Sequence, residues 1–540
     1  MRSLRREPAL LLALLAVIAL VLAFIVYPQL QVVLTPGPGG YVEFLQEGTW
    51  LVPLRNSLQL TLLSTTTAVL LGFIYAYAMV YSNMRWKPFF RLIGILPLLS
   101  PPFVVAAAYT LLFGARGVIS YGVFGQSPNI YGLNGVWGVQ TIAFFPFAYQ
   151  LIADALSRSD PRMEQAARNL GAGSWRVFWT VTLPLSRPGL GAAILTTAIY
   201  ILEDFGNPQL IGGVFYVLPT QAYSLISSFG EYTSAAAVST ILLLLALGLY
   251  LAKVRLDGGR SFVTISGRAS SMPRPPVSPG VSRACFVACL GLAGVILLVY
   301  GSLVVSALTL RFPNNLQFTT EHFQYVLSGT NGDALRNTLV FSGVAAAFSA
   351  VFALFAGWLV QRGQWPGRRA LDLLLILPAA IPGIFFGLGY LVAFNQKWLD
   401  FVDRGWLIII AFIFWNIPVG YQAAVAGLRQ IDRSIDEAAT SLGASSLRGF
   451  REVILPMLGG SLRVGFITTF VRAVTTLSLV IFLFTPPTTV ATIRIYQLVG
   501  DLNWGAATAY TVSDIGMAII ALLIFAVLAR GRIALGAARA

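Results

Sequence analysis

Twelve apolar stretches in this chain are each long enough to cross the hydrocarbon core of a bilayer, which takes about 20 residues of helix. They lie near 9–27, 56–81, 91–113, 136–156, 188–206, 236–252, 284–309, 337–360, 371–394, 406–428, 462–484 and 509–529. Hydrocarbon offers backbone amides no hydrogen-bond partner, so segments of this length fold as helices. The expectation is an all-α polytopic membrane protein with about 12 transmembrane helices. Composition agrees, at 57% hydrophobic and 11% charged residues. A net charge of +15 would suit nucleic acid in a soluble chain. Here the basic residues fall between spans, so membrane lipid is expected beside the chain and no nucleic acid.

The loops orient the spans. With the first residues in the cytoplasm, cytoplasmic segments hold 28 of the 36 Lys and Arg, outer segments hold 7, and Arg472 lies inside a span. That bias predicts cytoplasmic termini at both ends. The opening MRSLRREP and its apolar run show no small-x-small cleavage site before Pro28, so the run is read as an uncleaved first span.

The chain also repeats itself. Met163–Pro184 (MEQAARNLGAGSWRVFWTVTLP) matches Ile435–Pro456 (IDEAATSLGASSLRGFREVILP) at a shift of 272 residues. Arg55-Asn56-Ser57 matches Arg336-Asn337-Thr338 at a shift of 281, and Ile95-Leu96-Pro97 matches Ile376-Leu377-Pro378 at the same shift. Two homologous six-span halves of one orientation follow: 1–252 and 284–540, joined by a Pro-, Ser- and Arg-rich cytoplasmic linker at 253–283. The repeated loops, 160–184 and 432–456, fall on the cytoplasmic side. Asp160 and Asp432 read as helix starts, with Glu164, Asp436 and Glu437 in first turns. Ala166-Ala167 and Ala438-Ala439 give each loop a thin face, and Gly171 and Gly443 allow a left-handed turn between two short helices.

An acidic residue near an Ala-Ala pair, a Gly four positions after the second Ala and a Leu-Pro thirteen positions later is similar to the EAA loop of binding-protein-dependent ABC importer permeases. The resemblance implies two fused permease domains of the type I importer (MetI-like) fold in a bacterial inner membrane. It implies that Glu164, Ala166, Ala167, Gly171, Asp436, Glu437, Ala438, Ala439 and Gly443 couple to ATP-binding subunits. Two such subunits and an extracytoplasmic substrate-binding protein are the implied partners. No cofactor is expected on the chain itself, with ATP on the partner subunit. The first copy departs from the pattern, since Gln165 stands directly before its Ala pair where the second copy has Glu437. No Walker A pattern, nucleophile elbow or metal-protease motif occurs, so the chain is expected to be a transporter and not an enzyme.

Charged residues inside spans are costly and mark candidate pathways. Glu203 and Asp204 stand near the outer end of the fifth span, and Arg472 about ten residues into the eleventh. The stretch Glu203-Asp204-Phe205-Gly206 resembles a pattern in permeases of ferric-iron importers, and hard carboxylate oxygens suit ferric iron. The same acids could instead pair with Arg472. Asp154, Asp372 and Asp514 are read as interfacial span ends, Cys285 and Cys289 as apolar packing, and no metal site is fixed. Thiamine, aminoethylphosphonate and polyamine importers share much of the pattern, and an ion-coupled secondary transporter is the alternative from another class.

Overall fold

The computed structural model describes residues 7–258, 277–394 and 405–537. Most of the expected linker, 259–276, lies outside the described residues. Among the described residues ten helices are long and apolar enough to cross a membrane, and the figure reaches twelve if each of two bent pairs is one span. One short hairpin, Thr309–Arg311 with Asn315–Phe318, accompanies them.

Three expected spans are not single helices. The stretch 91–113 is built of Lys87–Ile95, a tight turn at Leu96–Leu99 and Val104–Phe113. The stretch 371–394 is Arg368–Ile376, a turn at Leu377–Ala380 and Gly383–Phe394, bent by 111°. Proline explains both breaks. Pro97 and Pro378 sit in the turns, Pro101 and Pro382 follow them, and none can donate the helical bond. The third departure is at 462–484, where helix Gly459–Thr475 stops and the chain runs on in turns. Leu477, Leu479 and Val480 of that unwound segment are buried, as non-helical backbone at membrane depth must be. Helix Gly383–Phe394 reaches its backbone closely: a Cβ at Gly387 would lie 2.3 Å from the Leu479 carbonyl oxygen.

The residues pack as two compact units. One comprises 42–231 and 241–320, the other 1–41, 232–240 and 321–540. Helix Pro279–Ala307 therefore packs with the first unit, where the Tyr300 and Ser100 hydroxyls share a hydrogen bond of 2.6 Å. The apolar run 8–34 packs with the second unit: the Tyr390 hydroxyl donates to the Phe24 carbonyl at 2.8 Å, and the Phe24 ring stacks on Phe414.

The repeated Arg-Asn-Ser/Thr triplets do the same work in each unit. Asn56 Nδ2 donates to the Tyr216 carbonyl at 2.8 Å, and Ser57 Oγ accepts the Leu218 N–H at 2.8 Å. Asn337 Nδ2 donates to the Pro487 and Thr489 carbonyls at 2.9 and 3.0 Å, and Thr338 Oγ1 accepts the Ala491 N–H at 2.7 Å. Leu218 and Ala491 are the first residues of helices Leu218–Phe229 and Ala491–Gly500, whose opening amides have no helical partner. The triplet thus closes the return of the chain after the fifth and eleventh spans.

Within each unit two long helices cross where only one Cβ fits. Helix Leu51–Tyr81 meets Leu133–Arg158 at Gly72, where a Cβ would lie 2.8 Å from that of Ala148. Helix Gly329–Arg362 meets Trp406–Gln430 at Gly420, where a Cβ would lie 3.0 Å from that of Ala353. The repeat shifts pair Gly72 with Ala353 and Ala148 with Gly420, so the two halves place the glycine on opposite partners of one crossing. Gly420→Ala is therefore expected to cost about 1–3 kcal/mol by overpacking. Adding Ala353→Gly should restore the wild-type melting temperature of the purified protein, and a double variant no more stable than the single one would refute the crossing as the cause.

Candidate functional site

The two repeated loops fold alike from the same local chemistry. Asp160 Oδ1 accepts the Arg162 N–H at 2.9 Å and starts helix Pro161–Asn169; Asp432 Oδ1 accepts the Ser434 N–H at 2.9 Å and starts helix Arg433–Ser441. The Ser434 amide holds the Asp432 carboxyl below its ordinary range. This cap is accordingly present above the ordinary carboxylate range and is lost only as pH falls through the lowered value.

Each helix ends in one Schellman turn. The Gly171 N–H donates to the Arg168 carbonyl at 2.9 Å and the Ala172 N–H to the Ala167 carbonyl at 3.0 Å. Gly443 and Ala444 repeat this on Thr440 and Ala439 at 2.9 and 3.1 Å. The turn needs a left-handed residue, and Gly171 and Gly443 supply φ of +86° and +84°.

The acid that faces inward is the first of each loop helix. Glu164 is buried, and its Oε1 accepts the Tyr81 hydroxyl at 2.7 Å and the Thr182 hydroxyl at 3.2 Å. Asp436, its repeat equivalent, pairs with Arg362 Nε at 3.1 Å. Tyr81 and Arg362 are themselves equivalent, each the last residue of its long helix. Burial pushes the Asp436 carboxyl up, against the pull of the Arg362 guanidinium. Glu437, directly before its Ala pair, is exposed, as are Ala166 and Ala438, while Ala167 and Ala439 are half-buried. The inward acid thus serves to seat each loop, leaving the Ala face outward.

Sequence reasoning missed the most prominent feature of that face. Leu170 and Leu442 are each 89% exposed at the tip of their turns. Their signal was the repeat itself: a leucine retained at the same place in two otherwise polar loops.

The expected pathway residues lie elsewhere. Asp204 is buried, and its Oδ2 accepts Gln140 Nε2 at 2.9 Å and Asn207 Nδ2 at 2.8 Å. Glu203 is the half-buried residue that ends helix Leu183–Leu202. In the other unit the Arg472 guanidinium lies 4.7 Å from the centre of the Trp415 ring, a cation–π contact. The interfacial reading of Asp514 is corrected: helix Trp504–Ala537 starts ten residues earlier, and Asp514 is fully buried, with both carboxylate oxygens unpartnered among the described residues. Cys285 and Cys289 are buried free thiols. No group of three or more His, Cys, Asp or Glu that could hold a metal occurs among the described residues.

Comparison with known proteins fits this geometry. The family model described as binding-protein-dependent transport system inner membrane component matches twice, at 68–257 and 349–533. The chain is 33% identical over 516 residues to a ferric transport system permease protein of Actinobacillus pleuropneumoniae, covering 92% of this chain and 75% of the relative. It is 32% identical over 504 residues to a putative ferric transport system permease protein of Haemophilus influenzae, covering 90% of this chain and 79% of that relative. A molybdenum transport system permease protein of Escherichia coli is 32% identical over 198 residues, 35% of this chain and 86% of the relative.

Alanine at either turn glycine places a Cβ in the left-handed region, at a cost of about 1–2 kcal/mol. Gly171→Ala and Gly443→Ala are expected to speed amide exchange at Ala172 and Ala444, whose N–H groups close the turns. Unchanged exchange would show that the turn is not held by glycine.

Proposed function

The chain belongs to the family of inner membrane components of binding-protein-dependent transport systems, and from that membership we propose that it forms the translocation pathway of an ATP-driven importer for ferric iron. It is a multi-pass inner membrane transport permease. In this reading an extracytoplasmic binding protein delivers the cargo, and two separate ATP-binding subunits seat on the two loops, at 160–184 and 432–456. Both termini lie on the cytoplasmic side, as the distribution of Lys and Arg supports. The six-span halves 1–252 and 284–540 act as paired permease domains.

The observation that carries docking is the pair of matched turns, each presenting an exposed leucine beside a thin alanine face on a helix anchored from within. Burying one leucine in a partner groove contributes about 1.5–3 kcal/mol. Leu170→Asp with Leu442→Asp should leave the fold intact, since both side chains stand in solvent, and should abolish co-purification of the ATP-binding subunit. Retention of the subunit by the double variant would remove the loops from the interface.

Iron rests on similarity to ferric permeases along most of the chain, whereas the molybdenum relative matches about a third of it. Glu203 and Asp204 offer the hard oxygen ligands that ferric iron prefers. In vesicles holding permease, ATP-binding subunit and binding protein, labelled ferric iron should accumulate only with ATP inside the subunit's compartment. Glu203→Gln with Asp204→Asn should cut that uptake to a small fraction while assembly is unchanged. Wild-type uptake by this double variant would take the pair out of the pathway, and transport of thiamine or molybdate in place of iron would reassign the cargo.

A further inference from the structure

The second loop carries an attachment for which the first half lacks the residue. Glu7 stands just before helix Pro8–Val21 and reaches the short helix Ser446–Gly449, which follows the Gly443 turn. One Glu7 carboxylate oxygen accepts the Ser446 N–H at 3.0 Å, and the other accepts the Ser446 hydroxyl at 2.7 Å. The amide it engages belongs to a first helical turn, where no backbone carbonyl is in place to accept it. The limb before Gly443 is fixed separately. Arg362 pairs with Asp436 at 3.1 Å, and its Nη2 donates to the Ile431 carbonyl at 2.6 Å. Between the two attachments lies a cavity of about 420 Å³ walled by Leu10, Leu14, Trp358 and Trp365. The helix behind Glu7 thus packs directly beside the loop.

Among the described residues the contact is made to one loop alone. Helix Pro279–Ala307 also opens on a proline, which sets Ser278 opposite Glu7, and Ser174 is the equivalent of Ser446. Ser278 turns its hydroxyl to the Val281 N–H of its own helix at 3.5 Å, and its short side chain carries no carboxylate to span to another loop.

We propose that Glu7 is a positioning residue. Its two bonds to Ser446 latch the first helix to the far limb of the second coupling loop. The latch fixes the angle between the two limbs about the Gly443 hinge, so that the second docking site moves with the first helix while the first docking site does not. This rests on the reading of both loops as docking sites for ATP-binding subunits.

Two measurements test it. On the full permease alone, Glu7→Ala should raise amide exchange at Ser446 by about tenfold, the loss of one charge-assisted hydrogen bond. Glu7→Gln, which keeps an acceptor, should fall between. Unchanged exchange would overturn the latch. In the assembled transporter, Glu7→Ala and Ser446→Ala should each lower transport per ATP hydrolysed at unchanged subunit content, and the double variant should lose no more than either. Glu7→Ala combined with Ser174→Ala should show independent effects. Faster exchange with wild-type transport per ATP would make the contact a static one and reject the positioning role. Failure of wild-type permease to hold the ATP-binding subunit would instead reject the docking reading, while the exchange measurement still decides the latch.

Discussion

The close helix crossing at Gly72 and at Gly420 sets the geometry on which each repeated loop depends. From Gly72 the helix runs nine residues to Tyr81, and from Ala353 nine residues to Arg362. From Ala148 the chain runs twelve residues to Asp160, and from Gly420 twelve to Asp432. One helix of each crossing therefore delivers the side chain that holds the loop, and the other delivers the first residue of the loop. At about 1.5 Å per residue of helix both arms are short, so the crossing places loop and anchor together. A slip at the crossing would move Tyr81 away from Glu164, or Arg362 away from Asp436. The glycine at the crossing has changed helices between the halves.

A second constraint is the hydrogen bonding of backbone that leaves the helix. Hydrocarbon cannot satisfy it, so each break must be closed by protein groups. Proline removes donors at the turns Leu96–Leu99 and Leu377–Ala380. Asn56 with Ser57, and Asn337 with Thr338, supply partners where the chain re-enters after the fifth and eleventh spans. The unwound stretch after Thr475 is covered by apolar side chains and by a helix whose glycine lets backbone meet backbone. Broken helices of this kind gather polar backbone inside the protein.

Much of this was legible in the sequence, because period, length and repetition are local signals. The helical spans, the internal repeat, the helix starts at Asp160 and Asp432 and the turns at Gly171 and Gly443 all follow from them. The proline-marked breaks were visible too, but hydropathy averages across a kink and reads one span. Other features depend on what a residue meets in three dimensions. Asp514 carries no sequence mark of full burial, and nothing in a loop tells that Leu170 faces outward while Glu164 faces inward. The acid directly before the Ala pair is present in one copy alone, Glu437, with Gln165 in the other. The structure shows that the shared inward position is one residue earlier, which is why Gln165 can replace Glu437 without loss of the seat. The Glu7–Ser446 contact joins residues 439 positions apart, a distance at which no periodicity speaks.

The repeat also separates what the fold demands from what each half does with it. Positions that serve backbone geometry are retained: the turn glycines, the capping aspartates, the Asn-Ser/Thr pairs and the prolines of the breaks. Positions that carry side-chain chemistry have diverged. Tyr81 answers to Arg362, Glu203 to Thr475, Asp204 to Thr476 and Leu242 to Asp514. In the first half Asp204 stands just past the end of the fifth span, held by two amides; in the second Asp514 stands on the last long helix, unpartnered among the described residues. The backbone plan is thus held in common, while the buried acids are placed independently in each half.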